Sequence, residues 1–318
     1  MKIGIFDSGI GGLTVFKEIS KKLPSFELFY LGDTARLPYG IKSKKTVDQY
    51  SERNVRFLRS LGCKIIVVAC NTASSYSTSL LKKKFNLPIF DVLSSGVLAS
   101  SKLGAKRIGI IGTASTIESK TYENNIRRID KSIKTIAKAC PIFVPLIEQG
   151  LLKKNYSKLI IEDNLAVFKR NAIDALILGC THYPLIKKDI QDYLGPNVIL
   201  IDSAQEISKS LYDYLKLRHP NEFSKTKKRR RIFVTDKSVY FNSVTRKIFR
   251  NLDYKIKLID IKWNIAYLLC VIRLDYLRKF FKLFCQCRDN FEQVTTNSII
   301  TFLKNWCVRI FIDSNDYF

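Results

Sequence analysis

The chain has 318 residues, 46% of them apolar and 26% charged, a globular balance that excludes a disordered or fibrous protein. Its 54 Lys and Arg against 28 Asp and Glu leave a formal charge of +26, but most of that charge is scattered over would-be helix faces, as AT-biased coding would also scatter it, so nucleic acid is not the expected partner. No apolar run approaches the roughly 20 residues of a membrane span, the segment after Met1 reads as a strand and not a leader, and eight cysteines without CxxC spacing suit a reducing compartment; a cytoplasmic protein with no membrane span and no metal site is expected.

In chain order, IGIF at 3–6 reads as a strand that runs into the glycine-rich turn FDSGIGG. Such a turn can cradle phosphate, yet it lacks the GxGxxG spacing and a P-loop lysine. Asp7 is read either as the N-cap of a helix over Leu13–Lys22 or as a carboxylate of a site. ELFYL at 27–31 is the second strand, and GDTARLPYG at 32–40 is a turn-rich loop in which Pro38 and Gly40 restrict the backbone around Tyr39. A helix is expected over Lys44–Ser60, then the strand KIIVVA at 64–69 ending at Cys70, a helix over Ser74–Lys84 and the strand PIFD at 88–91. RIGIIG at 107–112, PIFV at 141–144, DALILG at 174–179 ending at Cys180, VILID at 198–202 and RIFVT at 231–235 are the later strands. Helices fall over Ile117–Ile129 and Lys158–Asn171 and end a third segment near Leu217. The basic run KTKKRRR at 225–231 is read as a connecting loop, with a nucleic-acid patch as the other reading.

Short apolar strands alternating with longer helical stretches imply parallel sheets, and nearly continuous apolar strands imply helices on both faces. The pattern also repeats. KIGIFDSG at residue 2 resembles RIGIIGTA at residue 107, and Cys70 has its counterpart in Cys180, each closing an apolar run ahead of two polar residues. In open α/β sheets ligands bind beyond the carboxyl ends of strands, so the two thiols are expected to face one pocket between related halves. The fold class expected is α/β, with two pseudo-symmetric parallel-sheet domains and the active site between them. Residues 1–95 and 208–261 would form the first and 96–207 the second. From 262 to 318 the βα alternation stops and an aromatic, cysteine-rich extension begins, IAYLLCVIRLDYLRKFFKLFCQC, read either as an added amphipathic helix or as an extension without evolved structure. His182 follows Cys180 across Thr181, and an imidazole beside a thiol can hold it ionised or donate a proton to it. Asn71, Thr72 and Thr181 offer further hydrogen-bonding groups beside the two thiols.

The segments FDSGIGGLTV, GDTARLPYG, ACNTASS and LGCTHYPL, with PLIEQG around Glu148, resemble the signature segments of the bacterial glutamate racemases of the aspartate/glutamate racemase superfamily. The resemblance spans roughly residues 2–260 and stops before the extension. It implies interconversion of L- and D-glutamate without a cofactor, supplying D-glutamate for peptidoglycan. It further implies that Cys70 takes the α-proton from D-glutamate and Cys180 from L-glutamate. The substrate contacts it implies are Asp7 and Ser8, Tyr39 and Gly40, Asn71 and Thr72, and Thr181 and His182. Asp7 and His182 would assist the thiols, and Glu148 occupies an acidic position of the family motif. Aspartate racemase relatives tend to carry Glu where this chain has His182, and arylmalonate decarboxylase relatives keep one of the two cysteines. Both differences favour glutamate. The partner expected is the small-molecule substrate, with a homodimer left open.

Overall fold

The computed structural model describes residues 1–153, 155–224, 226, 228–237, 241–249 and 256–261. The extension at 262–318, and Lys225 and Lys227 of the basic run, lie outside the described residues. Met1–Ile261 is one compact unit that contains two parallel sheets. The first half contributes β1 (Lys2–Asp7), α1 (Leu13–Lys22), β2 (Glu27–Gly32), α2 (Lys44–Ser60), β3 (Ile65–Val68), α3 (Asn71–Lys84), β4 (Ile89–Asp91) and α4 (Val92–Ser101). The second contributes β5 (Arg107–Gly112), α5 (Ala114–Glu118), α6 (Thr121–Ile129), β6 (Lys134–Ala139), α7 (Phe143–Glu148), α8 (Asn155–Arg170), β7 (Ala175–Gly179), α9 (Lys187–Leu194) and β8 (Ile199–Asp202). The chain then returns through α10 (Ser203–Arg218) to β9 (Arg230–Val234), α11 (Phe241–Ile248) and β10 (Ile256–Leu258).

One sheet has the order β10-β9-β2-β1-β3-β4 and the other β6-β5-β7-β8, every described pairing being parallel. Parallel pairing needs crossovers, and the crossover helices cover both faces, which is why β3 (IIVV) and β7 (ALILG) are buried along their whole length. On one face of the first sheet, Phe16 and Ile19 of α1 pack with Ile207 and Leu211 of α10, and Val244 of α11 joins them. On the other face Val55 and Leu58 of α2 meet Leu81 of α3. The second sheet is covered by Leu165 and Phe168 of α8 with Ile190 of α9 on one face, and by Val97 of α4 with Tyr122 and Ile126 of α6 on the other. Each such fully buried aliphatic or aromatic side chain contributes about 1.5–3 kcal/mol. The domain boundaries expected at 95/96 and 207/208 fall inside α4 and α10, which pack on each other and carry the chain from one sheet to the other.

Register decides what meets at the sheet ends. Asp7 lies level with Gly32, and Ala69 N donates to Phe6 O, so Cys70 leaves its strand beside the Asp7–Ser8 turn. In the second sheet Gly112 is level with Gly179, so Cys180 leaves beside Thr113. Both thiols therefore emerge at carboxyl ends of central strands, where α/β sheets bind ligands.

Three expectations are corrected. PIFV at 141–144 is not a strand. The strand is the edge segment KTIAKA, whose half-exposed position tolerates Lys134 and Lys138, and Phe143, Leu146 and Ile147 are the buried face of α7 at helical spacing. The helix expected over Ile117–Ile129 is two helices, α5 and α6, separated at Lys120, whose φ of 51° is left-handed. The basic run is not wholly loop: Arg230 and Arg231 belong to β9, and the Arg230 guanidinium donates to the carbonyls of Leu23, Pro24 and Phe26. The helices α4, with Asp91 as its N-cap, α9 and α11, and the short strand β10 are additional to the expected elements.

Candidate active site

Cys70 is the N-cap of α3, its Sγ accepting from Ala73 N at 3.5 Å while the thiol donates to Ser8 Oγ at 3.6 Å. Burial, with the carboxylate of Asp7 adding to it, pushes this thiol up to about 12. Asp7 is fully buried behind it. Its Oδ1 accepts from Gly9 N at 2.9 Å and Gly12 N at 3.1 Å, and its Oδ2 from Thr181 Oγ1 at 3.3 Å. Gly12, not Asp7, is the N-cap of α1, so the carboxylate holds the turn into that helix and also reaches the second sheet. Burial raises the Asp7 carboxyl above its ordinary range, against the lowering effect of His182 and the two backbone donors.

Cys180 has different company. Its Sγ lies 3.8 Å from His182 Nδ1, and His182 Nε2 donates to Glu148 Oε1 at 2.9 Å. Burial works against charge on this imidazole, but its hydrogen bonds to Cys180 and to Glu148 outweigh that and push it up to about 10. These contacts favour the protonated form of His182 over the neutral one. The room for it comes from Gly11, where a β-carbon would lie 2.5 Å from His182 Nδ1. Glu148 ends α7, the helix that replaces the expected strand.

The two thiols line one cavity of about 30 Å³ together with Ser8, Gly9, the loop Leu37–Gly40, Asn71, Thr72, Thr113, Val144, Thr181 and His182. Cys63 and Cys140, the other two described cysteines, are buried in the core and do not line it. Asp7 and Glu148 stand one layer behind the wall, touching Thr181 and His182. The Tyr39 hydroxyl is committed elsewhere: it donates to Asp33 Oδ2 at 2.6 Å and accepts from Asn54 Nδ2 at 3.1 Å. Hydroxyls and carbonyls bridge the sheets around the cavity. Thr72 Oγ1 lies 2.9 Å from Thr113 Oγ1, Ser115 donates to Gly40 O at 2.8 Å, and Thr14 donates to Thr181 O at 3.1 Å. Asn71 Oδ1 accepts from Tyr122 at 2.6 Å, while its Nδ2 is buried with no partner among the described residues. A buried amide hydrogen left unpaired is costly, so this donor is a ready site for an acceptor on a ligand.

Gly9, Leu37, Pro38, Thr113 and Val144 are additional to the expected site residues. Thr113 was within reach of the sequence, since it stands 105 residues after Ser8 at the equivalent place in the repeat. Val144 was hidden by the misread strand.

The arrangement supplies two cysteines at strand ends of two sheets, a histidine beside one of them, and an unpaired amide donor on Asn71 in the same cavity lining. The model of the family described as Asp/Glu/Hydantoin racemase matches residues 11–210. A glutamate racemase of Aquifex aeolicus (strain VF5) is 49% identical over 218 residues, 68% of this chain and 84% of that protein. One of Sulfurihydrogenibium sp. (strain YO3AOP1) is 44% identical over 77% of this chain and 92% of its own length. Among solved structures, glutamate racemase from Francisella tularensis subsp. tularensis SCHU S4 in complex with D-glutamate is similar with a TM-score of 0.76 and 34% identity, covering 82% of this chain and 98% of its own.

Proposed function

The chain belongs to the Asp/Glu/hydantoin racemase family, and on that premise we propose that it interconverts L- and D-glutamate by proton transfer between two cysteines. The observation that carries this reading is the pair of thiols, Cys70 and Cys180, lining one cavity from the strand ends of two different sheets. Racemisation without a cofactor needs a base on one face of the α-carbon and an acid on the other. One thiolate takes the α-proton, the bond pair stays on the carbon as a planar carbanion, and the opposite thiol gives its proton to the other face. The amino acid leaves inverted, with the two sulfurs having exchanged protonation states.

Cys70 takes the proton from D-glutamate and Cys180 from L-glutamate in this reading. His182, charged and tied to Glu148, offers Cys180 a hydrogen-bond donor when that sulfur becomes anionic. Cys70 as a thiolate draws on Ala73 N and on the Ser8 hydroxyl once that turns its hydrogen to the sulfur, a weaker set of donors. Donors aimed at the α-carboxylate hold the substrate in place, and because the carbanion is delocalised into that group they hold it in the transition state as well. Asn71 Nδ2 and the amino-terminal turn of α3 supply them. Thr72, Thr113 and Thr181 hydroxyls, with the backbone around Gly40, frame the remainder of the substrate. D-Glutamate made in this way would feed peptidoglycan synthesis.

The test is to incubate the purified full chain with D-glutamate in deuterated water with no added cofactor, following optical rotation and α-deuteration. Loss of rotation with deuterium at the α-carbon is expected. Absence of both overturns the reading, and faster turnover of D-aspartate under the same conditions reassigns the substrate.

A further inference from the structure

We propose that Tyr122 is a positioning residue that sets the orientation of the Asn71 side-chain amide and so aims Asn71 Nδ2 at the substrate carboxylate. The inference rests on the racemase reading above and deepens it. Tyr122 stands in the first turn of α6, on the second sheet, and is among the largest fully buried side chains of the molecule. Its hydroxyl crosses to the first sheet and donates to Asn71 Oδ1 at 2.6 Å, in the residue that follows Cys70. Its ring lies against the residue that precedes Cys180: a β-carbon on Gly179 would sit 3.3 Å from Tyr122 Cε2. One aromatic side chain thus spans from the strand end of one thiol to the strand end of the other.

The chemistry of the amide makes this contact informative. A carboxamide presents an acceptor and a donor on two ends of nearly equal shape, and only its partners decide which end faces where. A phenol hydroxyl has one hydrogen. Given to Oδ1, it turns the amide so that Nδ2 is left over, and Nδ2 is the buried donor that has no partner among the described residues. Asn71 lines the cavity, so that unpaired donor serves an anionic ligand group there. With the amide reversed, Oδ1 would instead oppose the carboxylate, replacing attraction by repulsion. Because Tyr122 belongs to one sheet and Asn71 to the other, the donor is correctly aimed only when the two are together. Thr121, the neighbouring residue, makes a second crossing to Ser75 O at 3.4 Å.

The test uses the full chain and a double-mutant comparison. Tyr122→Phe keeps the ring and removes the hydrogen bond; it is expected to raise KM for both glutamate enantiomers by about tenfold, with kcat changing by less than about threefold. In an Asn71→Ala background the same substitution is expected to change KM by less than about twofold, because the amide it orients is gone. A wild-type KM in Tyr122→Phe overturns the proposal, and so does a tenfold effect that persists without Asn71, which would mark mere packing. If wild-type protein neither binds D-glutamate by calorimetry nor racemises it, the racemase reading itself fails and takes this one with it. Should Tyr122→Phe not fold, 3-fluorotyrosine at position 122, a stronger donor of nearly the same shape, is expected to lower KM, and an unchanged KM overturns the proposal.

Discussion

Cys70 and Cys180 occupy equivalent places in two sheets, yet their surroundings are opposite in charge. Around Cys70 stand the carboxylate of Asp7, the hydroxyl of Ser8 and one backbone amide, and burial with Asp7 pushes the thiol up to about 12. Around Cys180 stands the His182 imidazolium, fixed by Glu148. A repeated backbone places two sulfurs symmetrically, and a few charged side chains then make one an acid at rest and give the other a cationic neighbour. The mechanism proposed above does not need two alike bases. It needs two thiols that are each in the right state when the substrate of the matching hand arrives.

The comparison breaks most completely if either sulfur is removed. Cys70→Ala and Cys180→Ala should each lower racemisation in both directions by about 10³-fold or more, since each half-reaction needs both groups. Single variants should still exchange the α-proton of one enantiomer, and deuterium incorporation read separately for D- and L-glutamate shows which; exchange of the same enantiomer in both variants would refute opposed faces. Next in size is His182→Asn, expected to lower kcat by about 10²-fold. Its effect should be larger on proton removal from L-glutamate, measured by initial deuterium exchange, and an equal effect on both directions would mean that the asymmetry around the thiols is not functional.

Asp7→Asn should act on the other side. The Asp7 carboxylate raises Cys70, so its neutralisation lowers that thiol, and the midpoint of Cys70 alkylation by iodoacetamide should move to lower pH in a Cys180→Ala background. The expected cost in kcat is about tenfold, part of it from the loss of the Thr181 contact. Glu148→Gln is the mildest, a loss of a few-fold, because Glu148 reaches the sulfur only through His182. Its pH signature has a definite sign. His182 loses its proton as pH rises through about 10, and Glu148 is one of the groups that raise it. Without that carboxylate the basic limb of the kcat profile should fall at lower pH, and a limb that stays in place would detach Glu148 from His182.

The apolar runs IIVVAC and ALILGC carried the strand ends and hence the thiol positions, and their burial on both faces follows from continuous β-branched and aliphatic sequence. FDSGIGG and GDTARLPYG were legible as turns because glycine and proline mark them locally. What stayed hidden had a nonlocal cause. KTIAKA looks polar because an edge strand is only half covered along its length, and with the strand placed in the following segment instead, Val144 and the helix that delivers Glu148 stayed concealed. Tyr122 carries no local mark of its contact with a residue 51 positions away. The resemblance named Tyr39 as a contact, but could not reveal that its hydroxyl is held by Asp33 and Asn54.

The order of residues alone determined that this chain builds parallel sheets, repeats itself, and ends two central strands in cysteine. Tertiary structure alone decided that β1 lies beside β3, which sets Asp7 beside Cys70, and that the end of α7 brings Glu148 to His182. The reason is physical. Strand formation depends on neighbours along the chain, whereas the charge and hydrogen bonding around a sulfur depend on neighbours across space, which pairing and register assign.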